Sequence, residues 1–203
     1  MNFIFSLVFT IACSGSNVLI LGDSQASHVS WGGAIQDTLE SCGAEVERQS
    51  YTGYNTSRLL ALAPDNGNNY NIVVLITGDN DNNRTYHIDS AIELVHQLQT
   101  DSNTVYYSIP YLRTPIASMS RAQRVFPAIE GGDSGYWVEG ERAEAHMYYR
   151  ELFKDSIREH TEAMILDLHK LAIVCDEHVP DFPDGIHIPY RFALDIAECI
   201  YGA

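Results

Sequence analysis

The chain has 203 residues, enough for one domain with a sizeable core, and 45% of them are hydrophobic, which excludes a disordered chain. The formal net charge is -15, and lysine occurs only as Lys154 and Lys170, which argues against nucleic acid and anionic membrane surfaces as partners. Four cysteines without a Cys-x-x-Cys pair give no support to structural zinc or thioredoxin-like chemistry.

At the start, Phe3 to Ala12 are uncharged and mostly apolar. The run is too short for a membrane span, which needs roughly 20 residues. It suits the core of an export signal, with the small residues Ala12, Ser14, Gly15 and Ser16 behind it, although no basic residue precedes Arg48. A leader over residues 1–16 and one domain over 17–203 are expected, with an extra strand or an unstructured leader as the alternative. The product would be periplasmic, extracellular or lipid-anchored at Cys13, although Thr10-Ile11-Ala12-Cys13 lacks the leucine that usually opens a lipoprotein box.

The elements follow by periodicity and punctuation. Val18–Leu21 reads as a strand, Trp31–Gly43 as a helix stopped by Gly43, and Ala44–Ser50 as a partly polar strand. Asn55–Ala63 is a helix with Asn55 as cap, ended by Pro64. Asn71–Gly78 is the clearest buried strand; helix Ile88–Gln99 and strand Asn103–Pro110 come next. Tyr111–Gly140 is a long segment with Gly and Pro, of the kind that forms lids or binding loops. Glu141–His160 is a helix, Ala163–His169 a last strand, and Ile188–Tyr201 a last helix, which a Cys175–Cys199 bridge would tie down; small buried thiols are the equal alternative. Nearly continuous apolar strands separated by helices predict a single α/β domain with a parallel sheet of about five strands, covered on both faces.

Ligands of such sheets sit at the carboxyl ends of the strands. There the chain has Gly22-Asp23-Ser24, "YTGYNTS" with Gly53, "TGDND" with Asn80 and Asp81, and a late segment with Asp184 and His187. These types form an acyl-transfer set. A serine hydroxyl is a weak nucleophile and needs a base; His187 can take the Ser24 proton, and Asp184, three residues earlier, can orient the imidazole. The Ser24 N–H, the Gly53 N–H and the Asn80 amide would serve as oxyanion donors.

"GDSQ", "YTGYNTS", "GDND" and "DGIH" resemble the first, second, third and fifth blocks of the SGNH (GDSL-type) hydrolases, in the family's order and across Gly22 to His187. The resemblance implies a flavodoxin-like three-layer fold, Ser24, Gly53, Asn80 and His187 in the roles that name the family, and ester hydrolysis without metal or cofactor. Gln25 departs from it where the older family name has Leu, at a position assigned no chemistry.

Each block alone has a plainer reading: Ser24 as a helix cap, Gly53 as a turn residue, Asn80 and Asp81 as loop groups. Gly132–Gly135 repeats "GDSG" but follows no strand. "DNDNN" at Asp79–Asn83 starts like a calcium loop and then fails, with Arg84 and Ser90 at the required Gly and Glu positions. His178 with Asp181 is the second-choice base–acid pair, and the Asn-x-Ser/Thr matches at Asn55 and Asn83 read as chance. The expected activity is a serine esterase acting on O-acetyl or short acyl esters, small-molecule or polysaccharide. Tyr136 and Trp137 would stack on sugar or line the acyl pocket. Acyl transfer to a sugar, or a silent carbohydrate-binding module, are the alternatives; the oligomeric state is left open.

Overall fold

The computed structural model describes residues 14–78, 80–81, 85–109, 141–168, 171, 174–175 and 187–201. Among them are five strands: β1 (Asn17–Gly22), β2 (Glu45–Ser50), β3 (Ile72–Ile76), β4 (Thr104–Ile109) and β5 (Met164–Asp167). The helices are α1 (Trp31–Ser41), α2 (Thr56–Leu60), α3 (Tyr86–Leu98), α4 (Glu141–His160) and α5 (Tyr190–Tyr201), with a single 3-10 turn at Ser24–Ala26.

The strands form one all-parallel sheet in the order β2-β1-β3-β4-β5. The two-residue strand period sorts its side chains into two cores. Val18, Ile20, Val74 and Ile76 point to one face and are covered by Trp31, Ile35 and Leu39 of α1 and Phe192 and Ile196 of α5. Leu19, Leu21, Val73 and Leu75 point to the other and meet Leu94 and Leu98 of α3 and Phe153 and Ile157 of α4. Helices on both faces make this the three-layer flavodoxin-like fold, and explain why β1 and β3 are apolar at consecutive positions instead of alternating. β2 lies at the sheet edge, and its "EVERQS" is accordingly polar and partly exposed.

Most elements fall where periodicity puts them, with ends moved by a few residues. The second helix stops at Leu60, after which the chain closes in turns on the Leu59 carbonyl before reaching Pro64. Its cap is Asn55, whose side chain accepts from the Arg58 N–H at 3.1 Å. Ser24 is not a cap. The buried Asp23 carboxylate takes that role, accepting the Gln25 N–H at 2.9 Å, and Ser24 is the first residue of the turn. Cys175 and Cys199 are joined, and Cys42 is disulfide-bonded as well. Tyr190 of α5 donates its hydroxyl to Asp37 of α1, an acceptor that holds the phenol above its ordinary range.

Ser14 to Ser16, expected within the leader, extend the pairing of β1 with β2: the Gly15 N–H donates to the Gly43 carbonyl at 3.0 Å, and the Glu45 N–H to the Ser16 carbonyl at 2.9 Å. Residues 1–13 with Cys13, the segment 111–140 with Gly132–Gly135, Tyr136 and Trp137, and Asp79, Asn83, His178, Asp181 and Asp184 lie outside the described residues.

Candidate active site at the carboxyl edge of the sheet

The register brings three strand ends level: Gly22 of β1 pairs with Ser50 of β2 on one side and Ile76 of β3 on the other. Ser24, Gly53 and Asn80 follow those ends by two, three and four residues, and so share one edge of the sheet. The strand order reverses direction around β1 and β3, where doubly wound sheets open a crevice. Gly22 is required there, since a Cβ would lie 2.2 Å from the Ile76 carbonyl oxygen.

Asp23 is the hub of this edge. Its N–H donates to the Ile76 carbonyl at 3.0 Å, its carbonyl accepts from the Ser50 hydroxyl at 2.9 Å, and its carboxylate accepts from the Asn80 amide at 3.4 Å. One Asn80 amide hydrogen is used in this way; the group carries a second. The N–H groups of Asp23, Gln25 and Ala26 all have internal acceptors, whereas that of Ser24 has none among the described residues. Gly53 is exposed, its N–H likewise has no acceptor among the described residues, and its φ of 76° is one that a side chain would strain.

Below the edge a buried polar chain braces the third block. The Tyr107 hydroxyl meets that of Thr77, which lies 2.9 Å from the Thr56 hydroxyl. Thr56 gives both its hydroxyl and its backbone N–H to the Asp81 carboxylate, each at 2.8 Å. Asp81 therefore fastens the loop bearing Asn80 to the N-terminus of α2, just beyond Gly53. A closed network around a fully buried carboxylate holds these loops more rigidly than loop backbone alone would.

A second serine–histidine–aspartate grouping lies nearby, and its geometry rules it out as a triad. Ser57 Oγ is 2.8 Å from His87 Nδ1, and Asp81 Oδ1 is 4.0 Å from that same nitrogen. A relay needs the serine on one ring nitrogen and the carboxylate on the other. His87 is also 2% exposed, closed to any substrate.

His187 belongs to a late segment that the fold returns to the first block. The Ile188 N–H donates to Gln25 Oε1 at 3.2 Å, and the Ile188 carbonyl accepts from the Ser30 hydroxyl at 3.1 Å. Ser24 and His187 are thus the chain neighbours of a hydrogen-bonded pair, 163 residues apart in sequence. The spacing of the blocks carries no sign of this clamp; the one clue in the sequence is Gln25 in place of Leu. Away from the site, a groove lined by His96, Asn103, Glu159 and His160 lies at the opposite edge, near the amino ends of β4 and β5.

No family model and no curated protein matches this chain. Among solved structures, a protein of Slackia heliotrinireducens, provisionally named an SGNH hydrolase, is similar in fold. Its TM-score is 0.55 at 14% identity, over 93% of this chain and 98% of that one. At that identity the likeness speaks for the flavodoxin-like fold across nearly the whole chain.

Proposed function

We propose that this protein is an ester hydrolase of the SGNH type, with Ser24 as nucleophile. The observation that carries the proposal is the convergence on one sheet edge of Ser24, Gly53 and the Asn80 amide, with the His187 segment clamped to the residue after Ser24. The four sequence blocks and the name of the Slackia heliotrinireducens protein point the same way.

In the mechanism, Ser24 Oγ attacks the ester carbonyl carbon while His187 takes the hydroxyl proton. The carbonyl oxygen becomes an oxyanion facing the Ser24 N–H, the Gly53 N–H and the second hydrogen of the Asn80 amide. Collapse breaks the carbon–oxygen bond to the alcohol, which leaves with the proton from His187. Water then gives its proton to His187 and attacks the acyl-Ser24 carbonyl, releasing the acid and restoring the serine. Asp184 orients the imidazole and balances its charge. The substrate class is an O-acetyl or short acyl ester, from a polysaccharide or a small molecule. Export is part of the proposal, supported by the apolar N-terminal run and by the Cys175–Cys199 bridge, which suits an oxidising compartment.

The test is turnover of p-nitrophenyl acetate by the purified protein and by Ser24→Ala. The expected result is measurable hydrolysis abolished by the substitution. Equal rates for the two would remove Ser24 as nucleophile, and turnover by neither would point to a silent binding module or to acyl transfer that requires a sugar acceptor.

A further inference from the structure

The clamp between the first block and the last uses residues that the family resemblance gives no role. Gln25 is 2% exposed; its Oε1 accepts from the Ile188 N–H at 3.2 Å and lies 2.8 Å from the Ser30 hydroxyl oxygen. Ser30, fully buried at the N-terminus of α1, also lies 3.1 Å from the Ile188 carbonyl oxygen, so its one hydroxyl hydrogen is shared between Gln25 Oε1 and that carbonyl. Both polar groups of the Ile188 backbone are therefore held by side chains that follow Ser24 by one and six residues. Ile188 is itself 1% exposed and sits in the core beneath α1 and α5, so the peptide next to His187 is held by packing and by hydrogen bonds together.

Leucine at position 25 would have no acceptor to offer. The Ile188 N–H would stay buried without its partner, a defect that buried backbone groups rarely tolerate. Gln25 is thus more than a neutral departure from the "GDSL" pattern. It does locally what no regular element does, because His187 precedes α5 and the sheet ladder does not reach it.

We infer that Gln25, with Ser30, is a positioning residue that sets the imidazole of His187 against Ser24 by fixing the backbone of Ile188. The inference rests on the reading of Ser24 as nucleophile and His187 as base for its effect on rate, but not for its effect on His187 itself. The variants are Gln25→Met, which keeps length and removes the acceptor, Gln25→Glu, which keeps an acceptor, and Ser30→Ala. One readout is ester hydrolysis, resolved into kcat and KM. The other is the His187 ring resonance in histidine-labelled protein, assigned with His187→Gln.

Gln25→Met should lower kcat by about 10-fold or more with KM little changed, since small misplacements of a reacting group cost that much. Gln25→Glu should recover part of the loss, and Ser30→Ala should act in the same direction as Gln25→Met. In Gln25→Met the His187 resonance should shift or broaden while the ring of His96, at the opposite edge, stays unchanged. An unmoved His187 resonance in Gln25→Met overturns the inference, as do equal kcat losses for Met and Glu, which would mark a packing role. Unfolding of all three variants, seen by circular dichroism, also overturns it, since the pair would then be a general brace. Should Ser24→Ala hydrolyse esters as the parent does, the esterase reading falls, and the His187 resonance still decides the placement.

Discussion

Asn80 shows how one side chain can be both held and available. Its amide is fixed by Asp23, which also caps the Ser24 turn, so the proposed donor and the proposed nucleophile share an anchor. Replacing Asn80 with Ala should lower kcat by roughly 10²-fold or more, because a preorganised donor acts mainly on the transition state. KM should change little, and steady-state kinetics on p-nitrophenyl acetate measures both. The turn at Ser24–Ala26 is a single 3-10 turn, so little helix dipole is available there. In the proposed mechanism, oxyanion stabilisation at Ser24 therefore comes from the N–H itself. Any gain from Gly53 depends on its backbone conformation, since its φ of 76° leaves the N–H exposed where a side chain would disfavour the turn.

Among the elements, α1 matters most to the site although it supplies no reacting group. It packs on α5 and buries Trp31, whose indole N–H donates to the Ser108 hydroxyl of β4 at 2.6 Å. Its first turn is pressed against the Ser24 loop: a Cβ on Gly32 or Gly33 would fall within 2.4 Å of the carbonyl oxygen of Ala26 or His28. The helix therefore transmits the position of the sheet to the Ser24 turn. Trp31→Ala should destabilise the protein by about 3–5 kcal/mol through the cavity it opens, and also leaves Ser108 without its donor. Urea unfolding followed by circular dichroism checks this, and the variant's kcat should fall as the Ser24 turn loosens.

Across the whole molecule, the Cys175–Cys199 bridge closes a loop of sequence separation 24 that contains both Asp184 and His187. A loop of that length loses about 3 kcal/mol of stability when opened, on chain-entropy grounds. Reduction should therefore lower the unfolding midpoint and, with it, esterase activity; thermal melts with and without reductant measure the first and p-nitrophenyl acetate turnover the second.

Fold class, strand count and the polar residues at each strand end were legible in the linear chain. These follow from short-range physics: apolar runs of strand length, amphipathic helical spacing, and Gly, Asn and Pro as punctuation. The identity of Asp23 as the cap, and the value of Gln25, were not legible. A cap next to a serine in "GDSQ" has two chemically suitable donors of an acceptor oxygen, and only the turn geometry selects Asp23. Gln25 has partners at Ser30 and Ile188, five and 163 residues away, and no local pattern encodes a hydrogen bond across the core. The same limit explains the Ser57–His87–Asp81 grouping, which has the right residue types but puts both contacts on one ring nitrogen. Sequence determined which candidate chemistry the strand ends spell out, because residue type and strand periodicity are local properties. Tertiary structure decided which residues hold that chemistry in place, because hydrogen-bond partners depend on distances that only the folded chain sets.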